Sequence, residues 1–161
     1  MNLIAVDPGL RACGVAVYRD STLTRAMFVV SPERTLRGGP AWVAMAWAVA
    51  QQVNSESWTT AVVEFPQQYE GEESKVDRRD LSELTAVAGA VTLVLSARAS
   101  VVWTPVPREW KGQVPKDVHG RRILSRLTPA EAYRVEWPSA ERFRHNVTDA
   151  IGLGLRRLGR L

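Results

Sequence analysis

Three carboxylates stand where their neighbours ask for another kind of residue. Asp7 follows the apolar run Leu3-Ile4-Ala5-Val6 and opens Asp7-Pro8-Gly9, which puts it at the carboxyl end of a first strand. Open α/β sheets place their ligands at such ends, although an aspartate before Pro-Gly is also a plain turn former. Glu64 breaks an apolar run, with Val62 and Val63 before it and Phe65 after, in a strand expected to be buried. A carboxylate there must be paired, protonated or bound to a metal, and a structural ion pair is the ordinary alternative. Asp149 adjoins the stripe Val147, Ile151, Leu155 and Leu158, whose spacings of three and four mark the core side of a last helix. It shares a face with His145 and Asn146, and each of these could also be a solvated helix residue. Together the three acids offer hard oxygen donors suited to magnesium or manganese. Two such ions a few ångströms apart stabilise the attacking and leaving oxygens in phosphodiester hydrolysis.

The elements needed to position these residues follow from pattern and punctuation. At 161 residues, 45% apolar and 24% charged, the chain suits a single globular domain, 1–161, with a real core. Leu3 to Val6, Cys13 to Arg19 and Thr22 to Val30 read as three strands, with a tight turn at Asp20-Ser21. A helix starts near Pro40 and runs to Val53, and Thr59 to Phe65 is a fourth strand buried on both faces. The polar stretch Gln67 to Arg79 reads as a loop, followed by a helix from Asp80 to about Ala99 and a short strand, Val101 to Thr104. Thr128-Pro129-Ala130-Glu131 has capping-box spacing, and a last helix is expected from about Ser139 to Leu158. The order βββ-α-β-α-β-α is a mixed α/β domain with an antiparallel hairpin edge and a parallel core.

Other classes are excluded by what the chain lacks. The most apolar stretch, Leu84 to Ala97, is broken by Thr85, Gly89, Thr92 and Ser96, so no membrane span is expected. Met1-Asn2-Leu3-Ile4 has no signal-peptide character. Cys13 is the only cysteine, which rules out an internal disulfide and a cysteine-rich zinc site, and a cytoplasmic setting is the default. Cys13 itself reads as a small buried residue.

The opening Leu3-Ile4-Ala5-Val6-Asp7-Pro8-Gly9-Leu10-Arg11-Ala12-Cys13-Gly14-Val15-Ala16-Val17 resembles that of RuvC-type Holliday-junction resolvases, in the ribonuclease-H-like superfamily. Val62-Val63-Glu64 matches the family's second carboxylate, Ala86-Val87-Ala88-Gly89-Ala90 its small-residue helix, and Asp149-Ala150 its last acid. The resemblance implies a five-stranded mixed sheet flanked by helices. It implies a magnesium-dependent endonuclease (manganese substituting) that resolves four-way DNA junctions in recombination and repair, often as a homodimer. It further implies two ions per site bridged by Asp7 and completed by Glu64 and Asp149, with cleavage leaving a 5′-phosphate and a 3′-hydroxyl. The usual spacing of the last pair puts Asn146 at the fourth position. His145, one residue off that register, is favoured because imidazole can bind metal or activate water. The short, Trp-rich chain is similar to a compact, phage-type member, so its setting would be a bacterial or phage-infected cytoplasm.

The charge distribution fits a polyanion. The formal charge is +4 with a pI near 9.7, and cations gather in the second half. Arg108, Lys111, Lys116, Arg121 and Arg122 are candidate phosphate contacts, joined by Arg11 after the first strand. Tyr69, in the polar loop, could stack on an unpaired base. The bland alternatives are a solvated basic loop with Trp110 packed as a lid, and a Tyr69 that anchors its loop. His119 reads as a surface histidine. Trp42 and Trp47 read as core or dimer packing. Two rival functions stay open: a ribonuclease-H-like nuclease acting on RNA, of the kind that trims precursor ribosomal RNA, and a non-catalytic module that binds junctions.

Overall fold

The computed structural model describes the chain except for residues 34, 54–57, 68–76 and 113, and except for the side chain of Lys116. Five strands form one sheet in the order β3-β2-β1-β4-β5. They are β1 (Leu3–Asp7), β2 (Ala12–Arg19), β3 (Thr22–Val30), β4 (Trp58–Val63) and β5 (Ala99–Trp103). β1 pairs antiparallel with β2, and β2 with β3, while β1–β4 and β4–β5 are parallel. The mixed sheet with a hairpin edge and a parallel core is the expected architecture. Asp20 and Ser21 turn the β2–β3 hairpin with φ of 47° and 65°, the left-handed pair that matches the twist of its strands.

Alternation along the strands divides the core. Ile4, Val6, Ala61 and Val63 face one layer, made by α1 (Gly38–Gln52) and α2 (Arg78–Ser96). Leu3, Ala5 and Val62 face the other, where α6 (Arg144–Arg157) lies with Val147, Ala150, Ile151, Leu153 and Leu155 fully buried. That parity continues to Asp7 and Glu64, which therefore point toward α6. Between β5 and α6 the described residues form α3 (Pro107–Trp110), α4 (Lys116–Leu124), α5 (Pro129–Ala132) and a 3₁₀ turn at Glu141–Phe143.

Several boundaries differ from expectation. α1 begins two residues before Pro40, and α2 begins at Arg78 because the Asp77 carboxylate accepts from Arg79 N–H at 2.8 Å and caps it. β4 ends at Val63, so Glu64 stands just beyond the strand and not within it. The last helix starts at Arg144, five residues after Ser139. The capping box at Thr128 is present, with Glu131 accepting from Thr128 N–H at 2.9 Å and Thr128 Oγ1 accepting from Glu131 N–H at 3.2 Å. Cys13 is buried. Among the described residues, no helix is long and apolar enough to cross a membrane.

Candidate active site

Register brings the first two acids together. Val6 pairs with Val63 across the parallel β1–β4 ladder, and Glu64 N–H donates to Val6 O at 3.0 Å. Asp7 and Glu64 thus lie side by side at the carboxyl ends of the two central strands, on the α6 face. Gly14, opposite Asp7 in the β1–β2 ladder, lets α6 come down on them. A Cβ at that position would sit 1.9 Å from Asn146 O, so any side chain would lift the helix off the sheet. With the helix seated, Tyr18 Oη donates to Ile151 O at 2.7 Å, and Asp149 reaches the same carboxylate group.

Lys111, just past α3, ties the group together. Its Nζ lies 2.9 Å from Asp149 Oδ2 and 3.1 Å from Glu64 Oε2. Trp110 Nε1 donates to Glu64 Oε2 at 2.6 Å, and Asn146 Nδ2 donates to Asp7 Oδ2 at 3.1 Å. Asp7 is only 7% exposed, and the Glu64 and Asp149 side chains are 12% and 13% exposed, so little water screens them. Burial, followed by the Glu64 and Asp149 charges, holds the Asp7 carboxyl well above the usual carboxylate range. Burial also raises Glu64, against the opposing pull of Lys111. For Lys111, burial works against the ammonium, but the charges of Glu64, Asp149 and Asp7 outweigh it and raise the group to about 12.

Three carboxylates against one ammonium leave net negative charge in a poorly solvated place, and this donor set suits a hard divalent cation. As the side chains stand, no three His, Cys, Asp or Glu among the described residues close around an ion, because Lys111 bridges Glu64 and Asp149. An ion held by all three acids would take over contacts that the ammonium now makes.

The remaining candidates divide by place. Asn146 carries a hydrogen bond to Asp7, and His145 lines a neighbouring groove with Phe28 and Phe143. Arg11, Arg108, Arg121 and Arg122 are exposed, and Arg121 pairs with Asp117 at 3.3 Å. Tyr69 and the side chain of Lys116 lie outside the described residues. Trp110 is indeed packed, 5% exposed, in space left by Gly152, where a Cβ would meet Trp110 at 2.7 Å and Ile123 at 2.5 Å.

His119 is a correction. It is 4% exposed, with its ring edge-on to Trp110 at 5.1 Å and neither nitrogen partnered among the described residues. Burial, with smaller pushes from Lys111 and Arg122, holds its pKa below the usual histidine value. The missed signal was local: His119 and Ile123 are four apart and share the inner face of α4.

No protein-family model and no curated protein sequence matches the chain. Solved structures do. RuvC from T. thermophilus in complex with a Holliday junction substrate superposes with a TM-score of 0.64 at 17% identity, covering 99% of this chain and 96% of that one. A second Thermus thermophilus RuvC structure gives 0.55 at 17% identity over 99% and 98%. Ydc2, the yeast mitochondrial Holliday junction resolvase, gives 0.57 at 10% identity over 94% and 76%. Likeness at such low identity speaks to architecture, and on it the chain has the ribonuclease-H-like fold of the RuvC-type resolvases.

Proposed function

We propose that the protein is a metal-dependent endonuclease of the RuvC type that cleaves four-way DNA junctions, with Asp7, Glu64 and Asp149 holding its ions. The observation that carries this reading is the convergence of those three carboxylates at the central strand ends, with one ammonium to offset them. Divalent ions bound there, magnesium or manganese, would supply Lewis-acid charge and an activated water for phosphodiester hydrolysis. The chain's own groups do the positioning. Asn146 fixes one Asp7 oxygen, and Trp110 fixes one Glu64 oxygen. Lys111 keeps the acids together before substrate arrives and stands ready to offer its charge to a phosphate. His145, expected from sequence to assist the water, is one helical position from Asn146 and close to the same site.

The substrate assignment draws on the likeness to RuvC, whose structure was solved with a Holliday junction. The exposed Arg11, Arg108, Arg121 and Arg122, with Lys116, supply the cations such a polyanion needs. Cutting a junction symmetrically takes two sites, so we expect a homodimer. Val43 and Trp47, one turn apart on α1 and 52% and 55% exposed, and Leu93 on α2 at 73% are apolar residues available to its interface. The test is cleavage of a four-way DNA junction beside a structured RNA, with magnesium, by wild type and by Asp7→Asn. Junction cutting by wild type and a loss of more than about 100-fold in the variant are expected, since even supporting residues at metal sites carry 10–100-fold effects. Undiminished cutting by Asp7→Asn would remove the assignment, RNA-selective cutting would redirect it, and metal-independent binding without cutting would favour a recognition module.

A further inference from the structure

A groove of about 580 Å³ runs beside the carboxylates, between the 9–12 turn, the end of β3 and the entry to α6. That volume is typical of clefts that take small ligands, roughly 300–1,000 Å³. Phe28 and Phe143 stack within it, with ring centroids 5.3 Å apart and planes inclined by 19°. The Arg142 guanidinium lies 4.8 Å from the Phe143 ring centroid and adds a cation to the column. Phe143 stays 36% exposed, so part of its ring is open to the groove.

Two further observations say what sort of ligand suits the column. Its wall is polar at points: His145 lies along it, and the buried Ser31 hydroxyl has no partner among the described residues. Its inner end is Asn146, whose amide is bonded to Asp7. A ligand in the groove is therefore one residue's width from the acids. Arg11 and Arg142 flank it, so the ligand's own neighbours should be anionic.

We infer that this groove receives one nucleobase of the strand being cut, the base of a nucleotide next to the scissile phosphate, displaced from its stack onto the Phe28–Phe143–Arg142 column. The inference rests on the nuclease reading of the adjoining carboxylates. Aromatic rings and guanidinium planes both accept base faces, and the polar wall can meet a base edge. The groove would then help determine where along a junction the protein cuts.

An interaction cycle between protein and DNA tests this. Junctions carry a single abasic site at each of the three nucleotides on either side of the cut, and each is assayed for binding and cleavage with wild type, Phe143→Ala and Phe143→Leu. At one position the abasic site should weaken wild-type binding and kcat/KM by about 10-fold. At that position it should have little further effect on either variant, whereas elsewhere all three proteins should respond alike. Phe143→Leu keeps the apolar volume without the π face, so a loss shared by both variants at an unchanged melting temperature isolates stacking. Equal responses at every position would overturn the inference while leaving junction cleavage standing. So would a fall in oligomeric state of the variants with no such coupling, which would assign the groove to a second copy of the chain. Failure of wild type to bind or cut any junction would instead overturn the nuclease reading beneath it.

Discussion

Two buried carboxylate sites lie at different places on this fold, and they treat negative charge in opposite ways. Glu131, 2% exposed, takes two hydrogen bonds from the Arg160 guanidinium at 2.7 and 2.8 Å. It accepts two more from Leu23 and Thr128 N–H, each at 2.9 Å. The Arg160 contact, with the backbone donors helping, holds its carboxyl down at about 2. Asp7, 7% exposed, has one amide donor and two acidic neighbours, and its carboxyl is pushed up instead. One site compensates its charge within the chain and so contributes to the fold. The other leaves charge over, which opposes the fold locally and which, on the proposed reading, a bound cation would offset.

The widest separation between the two sites should appear in stability. Arg160→Ala strands the Glu131 carboxylate, and it should lower stability by about 3 kcal/mol, the low end for breaking a buried pair, since Arg160 is partly exposed. Asp7→Asn removes a charge that its surroundings oppose, and it should raise stability at neutral pH while abolishing cleavage. Chemical denaturation of the metal-free protein measures both. Shifts of the same sign would collapse the distinction.

The pH dependence sharpens it. Glu131 has a depressed folded pKa, so its contribution is present above its ordinary value of 4.5 and is lost as pH falls toward about 2. Asp7 has a raised folded pKa, so its favourable, protonated state is fully present below 3.8 and is lost as pH rises through the folded value. The stabilisation of Asp7→Asn over wild type should therefore grow from pH 4 upward, and the deficit of Glu131→Gln should shrink as acid is added below pH 4.5. Melting curves of both variants across that range should slope in opposite directions relative to wild type.

Much of this contrast was legible in the chain, and the reason lies in range. Asp7 is fixed by its neighbours: a continuous apolar run, Leu3 to Val6, before it and Pro-Gly after it. The same is true of the capping box that seats Glu131, since Thr128 and Glu131 are three apart. Arg160 as Glu131's partner and Lys111 as the bridge between Glu64 and Asp149 are contacts across 29 to 47 residues, which no local period announces. The expected role of Lys111 as a phosphate contact came from its charge, whereas the structure turns that charge toward the acids. Asn146 and His145 show the limit of helical spacing. They are neighbours at the start of α6, and it is the Asn146 amide, on the helix turn that Gly14 lets onto the sheet, that donates to Asp7.

The smallest expected effect concerns Trp110, a large side chain that belongs to the core and to the site at once. Its ring fills the space over Gly152 and meets His119, while its indole N–H ends on Glu64. Trp110→Phe keeps most of the apolar body but leaves a small void and removes the donor, so stability should fall by about 2 kcal/mol. Glu64 would lose the bond that fixes one of its oxygens. Loss of such an orienting contact at a metal site is worth about 10-fold at the mild end, and it should appear as a higher magnesium concentration for half-maximal cleavage with a smaller change in the saturated rate. A variant with unaltered magnesium dependence would place Trp110 with Glu131, among groups whose work ends with the fold. A shifted dependence beyond what the modest loss of stability accounts for would show that the boundary between the two kinds of site runs through this one side chain.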